Sequence, residues 1–477
     1  MNKLPRTLSA ALRLSGLGIL GILGILGSPS ATAADWPEFL GLNRDNCTAE
    51  TGLRKTLSSD GVPVLWQKKV GTGYSAPSVL DTSLVLHHRV GNEEIIECFQ
   101  SETGAPLWRH SYPTHFIDPF GYNNGPRCSP LLTKDFCYTF GAEGVLLCLN
   151  RKEGTPVWKR DTRADFDVPE AFFGVGSSPV LDGNRLIVMV GGQPNAAVVA
   201  FDALTGKTLW ENGGASTWNG VPMTGWPGER IIEWNPADPA FQKQASYCTP
   251  VLATIHGQRH VLCCTRQGLL SLDPETGKRR FAFWFRARQD SSVNAMTPIV
   301  QDDCILISSA YFRNGSVLLR VQPGGSAVTE VWRGTQLEMH WSRPILAEGR
   351  LYAFSGRNEP DARFRCVDWA DGTLRWDRFE GWPNAGHSKL REGEKPPEFY
   401  GRGSLILADK KLVALGEAGR LGLFELDATK AVEIGQWQVP GLSYPCWTGP
   451  VLANRKLYLR DETLLLCLDW TAPSTPH

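Results

Sequence analysis

The stretch "AFDALTGKTLW", Ala200–Trp210, contains a strand, a tight turn and the start of a second strand. Gly206 suits the turn because glycine adopts positive φ without steric cost. Asp202 is placed to accept hydrogen bonds from the backbone amides of the turn. Trp210 follows four residues after the glycine. A single copy would indicate only one hairpin, so the fold depends on whether the stretch recurs.

Copies of this stretch recur along the chain with the same length and frame. Each has a small residue, a polar third position, a turn ending in glycine and an aromatic residue four positions later: "CFQSETGAPLW" (98–108), "CLNRKEGTPVW" (148–158), "SLDPETGKRRF" (271–281) and "CVDWADGTLRW" (366–376). Looser copies end at Trp332 and Trp437. Such regular recurrence indicates a repeat architecture.

A second signature, an apolar run usually opened by proline, precedes each copy. The runs start at Pro77, Pro130, Pro179, Pro250, Pro298, Pro344, Leu405 and Pro450. Units of about 45–70 residues with four short strands are typical of β-propellers. The last unit lacks an outer strand, whereas Pro63–Val70 is an outer strand without the preceding three. We therefore predict an all-β, eight-bladed propeller of four-stranded antiparallel blades, closed by the N-terminal strand joining the last blade.

The recurring aromatic residues are expected to pack between neighbouring blades, where burial of each stabilises the fold by about 2–3 kcal/mol. We accordingly assign a structural docking role to residues of the repeat. The aspartate hydrogen-bonds to the turn, the glycine allows the turn, and the tryptophan packs between two blades. The residues are Asp202, Gly206, Trp210, Trp66, Trp108, Trp158 and Trp376.

The N-terminus has the pattern of an export signal. Basic residues precede an apolar run, Leu14–Gly27, and Ala31 and Ala33 occupy the small-residue positions before a cleavage site. The run is short for a membrane-spanning helix, and an uncleaved anchor is the alternative. We predict a signal peptide (1–33), an N-terminal extension (34–61), the propeller (62–470) and a tail (471–477). The mature protein is expected to be periplasmic or secreted and not transmembrane.

Composition limits the function classes. Lys plus Arg and Asp plus Glu each number 49, and no basic face or tail suggests nucleic acid. The histidines show no metal-ligand spacing and no Ser/His/Asp arrangement can be inferred, so we assign neither metal-ligating nor catalytic residues. Cys98, Cys148, Cys366 and Cys467 lie in alternating apolar strands, and the adjacent pair Cys263–Cys264 is predicted to be two free thiols inside a strand.

"AFDALTGKTLW" resembles the tryptophan-docking motif of quinoprotein β-propellers, Ala-x-Asp-x-x-x-Gly-Lys-x-x-Trp, with matches at Ala200, Asp202, Gly206, Lys207 and Trp210. The whole mature chain resembles the PQQ-like repeat proteins. This superfamily includes eight-bladed quinoprotein alcohol dehydrogenases and the non-catalytic BamB-type outer-membrane assembly factor. "WPEFLGLNRDN", "GYNNGPRCSP" and "GRGSLILAD" resemble an exported group frequent in planctomycete-type bacteria. The resemblance implies the fold, because the docking residues are structural in both branches.

The dehydrogenase branch implies PQQ, a Ca²⁺ held by Glu and Asn oxygens, an Asp base, and a ring formed by adjacent disulfide-bonded cysteines in a loop. In this sequence Cys263–Cys264 falls inside a strand, and no dense acidic cluster suggests the Ca²⁺ site. PQQ with Ca²⁺ is therefore the cofactor set of the alternative function and not of the favoured one.

Loops that lead into the innermost strands converge on the axis of a propeller, and in this chain they are polar and aromatic. They include 109–127 and 216–247. Function concentrates in loops on a rigid scaffold. We predict that the axis-facing, ligand-binding residues are Asn123, Asn124, Arg127, His340, Trp341 and Arg402. The structural alternatives are a turn for the two asparagines, salt bridges for the arginines and a satisfied interior histidine for His340.

The leading hypothesis is an exported, non-catalytic binding or scaffold propeller, with a BamB-like envelope role. Its partner would be a protein or envelope component, or a small anionic or glycan ligand at the central mouth. One alternative is a PQQ- and Ca²⁺-dependent alcohol or sugar dehydrogenase. Another is a polysaccharide hydrolase or lyase, which needs a carboxylate pair drawn from Asp118, Asp165, Asp167 and Glu170.

Overall fold

The computed structural model describes residues 34–170, 173–218, 245–287, 292–382 and 398–473, so the predicted signal peptide lies outside the described residues. Within them the chain forms eight antiparallel sheets of four strands, one of which has an additional short strand. The predicted all-β, eight-bladed propeller is confirmed. The only α-helix of the described residues is the single turn Thr162–Asp165, and the 3₁₀ helices are Ala215–Trp218, Tyr311–Arg313 and Glu359–Asp361.

The blades follow one another along the chain, and the strands of each blade run from innermost to outermost in chain order, except that the N-terminal strand is the outermost of blade 8. Blade 1 comprises Ser78–Leu80, Ser83–Val90, Glu93–Gln100 and Pro106–Pro113; blade 2, Leu131–Leu132, Phe136–Phe140, Val145–Asn150 and Pro156–Asp161; blade 3, Val180–Asp182, Arg185–Gly192, Ala196–Asp202 and Thr208–Asn212; blade 4, Val251–Ile255, Gln258–Cys264, Gly268–Leu272 and Arg279–Trp284. Blade 5 comprises Ile299–Gln301, Cys304–Ser309, Gly315–Val321 and Val328–Gly334; blade 6, Ile345–Ala347, Arg350–Ser355, Arg363–Asp368 and Leu374–Phe379; blade 7, Ser404–Ala408, Lys411–Leu415, Arg420–Glu425 and Glu433–Gln438; blade 8, Val451–Ala453, Lys456–Arg460, Leu464–Asp469 and the N-terminal strand Val64–Lys69.

The hydrophobic core lies between blades. The second and third strands of each blade are buried on both faces, as in Arg185–Gly192, whereas the outermost strand Val64–Lys69 alternates exposed and half-buried residues. Each apolar cluster joins side chains of neighbouring blades, so Phe140 of blade 2 shares a cluster with Phe201 of blade 3. A blade alone would expose both faces, and the ring is therefore the unit that folds.

The ring closes as the sequence predicts. Val64–Lys69 pairs antiparallel with Leu464–Asp469, with Trp66 opposite Cys467 and Lys69 opposite Leu464. The first and last parts of the propeller thus share one sheet, which removes two unpaired strand edges.

The tryptophans of the repeat each reach the next blade. Their indole N–H groups donate to carbonyl oxygens there: Trp66 to Ser101 (3.0 Å), Trp108 to Arg151 (2.8 Å), Trp158 to Ala203 (2.9 Å), Trp210 to Pro274 (3.1 Å), Trp332 to Trp369 (2.8 Å) and Trp376 to Asp427 (2.9 Å). The Trp158 indole lies on Gly206, where a Cβ would meet ring atoms at 2.8 Å. Asp202 Oδ1 accepts the Leu204 and Thr205 N–H groups and so fixes this turn.

The N-terminal extension binds the inner strands. Trp36 and Val79 exchange backbone hydrogen bonds of 2.9 and 2.8 Å, and Leu132 N–H donates to Pro37 O at 2.8 Å. Farther on, Cys47–Thr48 adds a short parallel strand beside Leu407–Ala408 of blade 7. The extension therefore contacts the inner strands of blades 1, 2 and 7.

All twelve cysteines are free, and eleven are buried. Cys263 and Cys264 end the strand Gln258–Cys264 and are fully buried, as predicted for thiols inside a strand. Burial raises the pKa of the Cys98 thiol to about 12, which keeps it protonated and unreactive near neutral pH. Among the residues that the structure describes, no helix combines the length and the apolar character needed to cross a membrane.

A polar cluster is buried where blade 1 meets blade 2. The Glu94 carboxylate lies 3.2 Å from His87 Nε2 and accepts hydrogen bonds from the Tyr112 hydroxyl (2.5 Å) and the Ala142 N–H (2.9 Å). Glu94 is the second residue of the strand Glu93–Gln100, and its side chain is buried. Burial by itself would raise the pKa of the Glu94 carboxyl, but the contacts with His87 and Tyr112 hold that pKa below its usual value.

We predict that Gly206→Ala destabilises the protein more than Gly183→Ala. Both glycines have positive φ, of +69° and +61°, so both substitutions strain the backbone, but a Cβ at Gly183 meets nothing within 4 Å. In Gly206→Ala the new methyl group also overpacks against the Trp158 indole, which should lower the free energy of unfolding by roughly a further 1–3 kcal/mol. Urea unfolding of the two variants measures the difference, and equal losses would contradict the packing role of the glycine.

We predict that Glu94→Gln costs about 3 kcal/mol of unfolding free energy at pH 7, because it leaves a buried cluster without its charge. Since the folded pKa of Glu94 is held below 4.5, its contribution is present above that pH and declines as the pH falls through the folded pKa. The difference in unfolding free energy between wild type and Glu94→Gln should therefore become smaller at acidic pH. Urea unfolding at several pH values between about 3 and 7 measures this difference. A difference that does not change with pH would contradict the role of the Glu94 charge.

Candidate axial binding site

One cavity of about 560 Å³ lies on the propeller axis, because all eight blades contribute to its wall. Most of the wall comes from the axial loops, the segments that lead into the innermost strand of each blade, among them the stretch His340–Arg343. Trp36, Phe39 and Leu40 of the N-terminal extension also line it. Parts of four axial loops, 171–172, 219–244, 288–291 and 383–397, lie outside the described residues.

A series of contacting aromatic rings, the aromatic belt, lines the cavity. Successive ring centroids are 5–6 Å apart along the series Tyr247, Phe173, Tyr122, Trp447, Trp341, His340 and Tyr311, with individual distances of 5.5, 6.0, 5.7, 5.2, 4.8 and 5.2 Å. Six of these rings come from five loops between blades, and Tyr311 comes from the loop between the second and third strands of blade 5. Tilted and edge-to-face contacts at such distances stabilise aromatic pairs and fix their orientation. The belt offers a preformed apolar surface to a flat or sugar-like group.

Arg402 is held by two buried carboxylates on one side of the cavity. Its guanidinium donates to Glu417 Oε1 at 2.7 Å and contacts Glu359, and it lies over the Trp341 ring at 4.6 Å. Trp447 Nε1 also donates to Glu417 at 2.6 Å. Arg402 lines the cavity, but its charge is neutralised by its partners.

His340 is a neutral histidine in this site. Burial, followed by the charges of Arg402 and Arg357, holds its pKa well below the usual value. Because arginine only donates, Nδ1 of His340 accepts from Arg402 Nη1 at 3.3 Å, and the Nε2–H faces the Tyr311 hydroxyl at 3.2 Å. The ring therefore connects Arg402 to Tyr311 without adding charge.

Arg127 lines the opposite wall and is also paired. It donates to Asp118 Oδ2 at 2.7 Å and to Asn123 O at 3.0 Å. Asn123 and Asn124 are not among the residues that line the cavity, in contrast to the prediction that they face the axis. The Asn123 amide donates to Thr72 and Glu462, and Asn124 Oδ1 accepts the Asp118 N–H at 2.8 Å. They shape the loop that carries Arg127.

The donors without partners lie on the blade 6 side. Arg357 stacks between Tyr311 and Phe312, at 4.9 and 4.5 Å, and no carboxylate of the described residues pairs with it. Arg343 donates from Nη1 to Asp45 O, while its Nε and the Trp341 Nε1 are buried donors that find no acceptor in the described structure. Burial lowers the pKa of Arg343 to about 10, so it remains charged at neutral pH. The cavity therefore favours an anionic group at this side.

Sequence reasoning missed Arg357 because it considered only the loops before the innermost strands. Arg357 follows the second strand of blade 6, Arg350–Ser355, in "SGRNEP". In an antiparallel blade this loop emerges on the same face as the axial loops. Counting strand directions would have included it.

Two of the four carboxylates proposed for hydrolase or lyase chemistry form ion pairs, and none of the four lines the cavity. Glu359, the only carboxylate that lines the cavity among the described residues, is bound by Arg402 and by the Tyr444 hydroxyl at 2.8 Å. Asp118 pairs with Arg127, and Asp165 pairs with Arg160 at 2.6 Å. Throughout the described ranges, no cluster of three or more His, Cys, Asp or Glu side chains is arranged to hold a metal ion.

Eight four-stranded blades with an aromatic axial cavity define a β-propeller of the PQQ-like repeat class. The sequence profile of the family described as outer membrane protein assembly factor BamB matches residues 92–378. The chain belongs to this family. No curated protein has a significantly similar sequence.

Solved structures share the fold at low sequence identity. BamB from Moraxella catarrhalis is 13% identical, with 87% of this chain and 99% of that chain covered and a TM-score of 0.51. Quinohemoprotein alcohol dehydrogenase from Comamonas testosteroni is 12% identical, with coverage of 93% and 82% and a TM-score of 0.60. The enzyme ADHIIG from Pseudomonas putida HK5 is 11% identical, with coverage of 90% and 79% and a TM-score of 0.53. These likenesses show the fold alone.

We predict that Arg402→Met destabilises the protein by about 3–5 kcal/mol, because it leaves Glu417 and Glu359 buried without a cation. Adding Glu417→Gln to this variant should recover part of the loss, since it removes one unpaired charge. Urea unfolding of the single and double variants measures both effects. A single variant as stable as wild type would show that the cluster contributes little.

Proposed function

We propose that this protein is an exported, non-catalytic binding propeller whose axial cavity receives the anionic group of a ligand or of a partner protein. The observation that carries the proposal is Arg357, a guanidinium held between two aromatic rings and unpaired within the described structure. The orphan donors of Trp341 and Arg343 beside it support the same conclusion. Buried donors without acceptors are costly, and a bound anion would satisfy them.

The distribution of charge supports binding over chemistry. Arg402 and Arg127 already have carboxylate partners, whereas Arg357 and Arg343 have none in the described residues. The aromatic belt would cover the remainder of the ligand, as aromatic rings do for sugars and planar groups.

The family relationship supports a role in the cell envelope. The family is described as outer membrane protein assembly factor BamB, and one structural relative is BamB itself. We propose on this basis a periplasmic or secreted location and an envelope protein as partner, with the propeller as scaffold. The proposed location and partner rest on the family and on the predicted signal peptide. The axial cavity is the proposed contact site for the partner.

A PQQ-dependent dehydrogenase is the second candidate, and the residues fit its cofactors only in part. The arginines and aromatic rings suit a planar carboxylate. Glu359 is committed to Arg402 and Tyr444, which leaves no free carboxylate in the described wall for Ca²⁺. Cys263 and Cys264 lie buried in a strand and not in a loop against the cavity. The donor set therefore does not match PQQ with Ca²⁺.

We predict that the cavity selects anionic probes through Arg357. Calorimetric titration of the mature protein with glucuronate, glucose and glucosamine compares an anion, a neutral sugar and a cation of similar shape. Glucuronate should bind most tightly, and Arg357→Gln should weaken its binding about tenfold, the loss expected for one charge-assisted hydrogen bond. Arg363→Gln is the control, because Arg363 also stacks on an aromatic ring, Phe379 at 5.2 Å, but does not line the cavity.

Equal binding of the three sugars, or of glucuronate to wild type and Arg357→Gln, would contradict the proposal. A parallel titration with PQQ, with Ca²⁺ and with a chelator, followed by a dye-linked alcohol assay, tests the second candidate. Calcium-dependent PQQ binding together with alcohol oxidation would favour the dehydrogenase.

A further inference from the structure

Glu50 is a buried carboxylate with one oxygen unused. It follows the short strand Cys47–Thr48 of the extension, and its residue is only 1% exposed. Oε2 accepts the backbone N–H of Arg455 at 2.7 Å. Oε1 is buried and accepts no well-aligned hydrogen bond from the described residues. A buried charged group left half-satisfied in this way calls for an explanation.

Ala34 is anchored to the same turn of blade 8 as Glu50. The Asn454 N–H donates to Ala34 O at 3.0 Å, and Asp35 Oδ1 accepts the Asn454 side-chain amide at 3.1 Å. Asn454 and Arg455 are the two left-handed residues of this tight turn, with φ of 54° and 58°. Ala34 and Glu50 therefore bind adjacent residues of one rigid hairpin, which brings the Ala34 nitrogen to the Glu50 carboxylate.

The electrostatics of Glu50 are consistent with a missing cation. Burial raises the pKa of its carboxyl, and the nearby backbone N–H groups of Arg455, Asn454 and Ala34 only partly oppose this effect. No arginine or lysine among the described residues forms an ion pair with it, and the Arg455 guanidinium acts on it only weakly. A carboxylate removed from water is stable when a positive charge lies beside it.

The sequence offers a source for that charge. Ala31 and Ala33 are the small residues that signal peptidases require before a cleavage site, so the predicted cut falls between Ala33 and Ala34. We propose that Glu50 is a receptor for the new N-terminus: water adds across the Ala33–Ala34 peptide bond, Ala33 leaves with a carboxylate, and the α-ammonium of Ala34 pairs with Glu50 Oε1. The proposal rests on the export proposed above and is independent of the ligand of the axial cavity.

The ion pair between Ala34 and Glu50 relates removal of the signal peptide to the stability of the cavity wall. The peptide nitrogen of an uncleaved chain has one N–H and no charge, whereas the α-ammonium has three donors and a positive charge. The ion pair can therefore form only after cleavage. Two residues beyond Ala34, Trp36 is tied to Val79 and lines the cavity. Processing thus stabilises the segment that forms part of the cavity wall.

The test compares Glu50→Gln in two forms of the full mature chain. One form is exported with its own signal, and the other starts with Met-Gly-Ser ahead of Ala34, which moves the α-amine away from Glu50. The exported form should have an intact mass that begins at Ala34. In that form Glu50→Gln should lower the folded-to-unfolded ratio in urea about tenfold, whereas in the extended form the loss should be clearly smaller. Asp60→Asn, an exposed carboxylate of the same extension, is the control and should change neither form.

A second measurement reports on the amine directly. The α-amine of the exported protein should react slowly with an amine-specific acylating reagent at neutral pH, and Glu50→Gln should accelerate the reaction about tenfold, because a paired ammonium is not nucleophilic. Equal losses of stability in the two forms, unchanged labelling, or an N-terminus elsewhere than Ala34 would each overturn the proposal. None of these outcomes bears on glucuronate binding through Arg357, so the two proposals fail separately.

Discussion

The contact on which this structure depends is the indole of one blade lying on the turn glycine of the next. Trp158 donates its N–H to Ala203 O at 2.9 Å and covers Gly206, a position where only glycine combines φ of +69° with space for the ring. The contact repeats at most blade junctions and sets the distance between neighbouring sheets. Because every blade has apolar faces on both sides, this spacing determines whether the interfaces pack, and with them the radius of the ring.

A ring of eight blades leaves a space at its axis, and side chains of the axial loops convert that space into a cavity. The aromatic belt supports itself through contacts of 4.8–6.0 Å between rings. Four arginines line the cavity, but they are not equivalent. Arg402 and Arg127 hold loops together through buried carboxylates, whereas Arg357 and Arg343 keep unpaired donors in the described structure. The difference lies in their surroundings and not in the residue type.

The N-terminal extension connects these parts. It closes against the inner strands through Trp36 and Cys47–Thr48, lines one part of the cavity, and continues into the strand that completes blade 8. Gly61 lies against the Trp437 ring, so this segment also serves the junction between blades 7 and 8. One continuous segment therefore contributes to ring closure, to the cavity wall and to the environment of Glu50. A change in how this segment binds would affect all three.

The amino-acid sequence alone predicts the class of fold, the number of blades and the ring closure. These features arise from local rules, since the spacing of proline, turn glycine and tryptophan repeats within each unit and is read without knowledge of distant contacts. It also located Arg127, His340, Trp341 and Arg402 near the axis, because loop position follows from strand order. The folded structure was needed to show that Asn123 and Asn124 bond within their loop, that Arg357 lines the cavity and that Glu94 and Glu50 are buried. The charge state and accessibility of these side chains depend on partners from other parts of the ring, such as Glu359 for Arg402, the Ala142 N–H of blade 2 for Glu94, and the Asn454–Arg455 turn for Glu50.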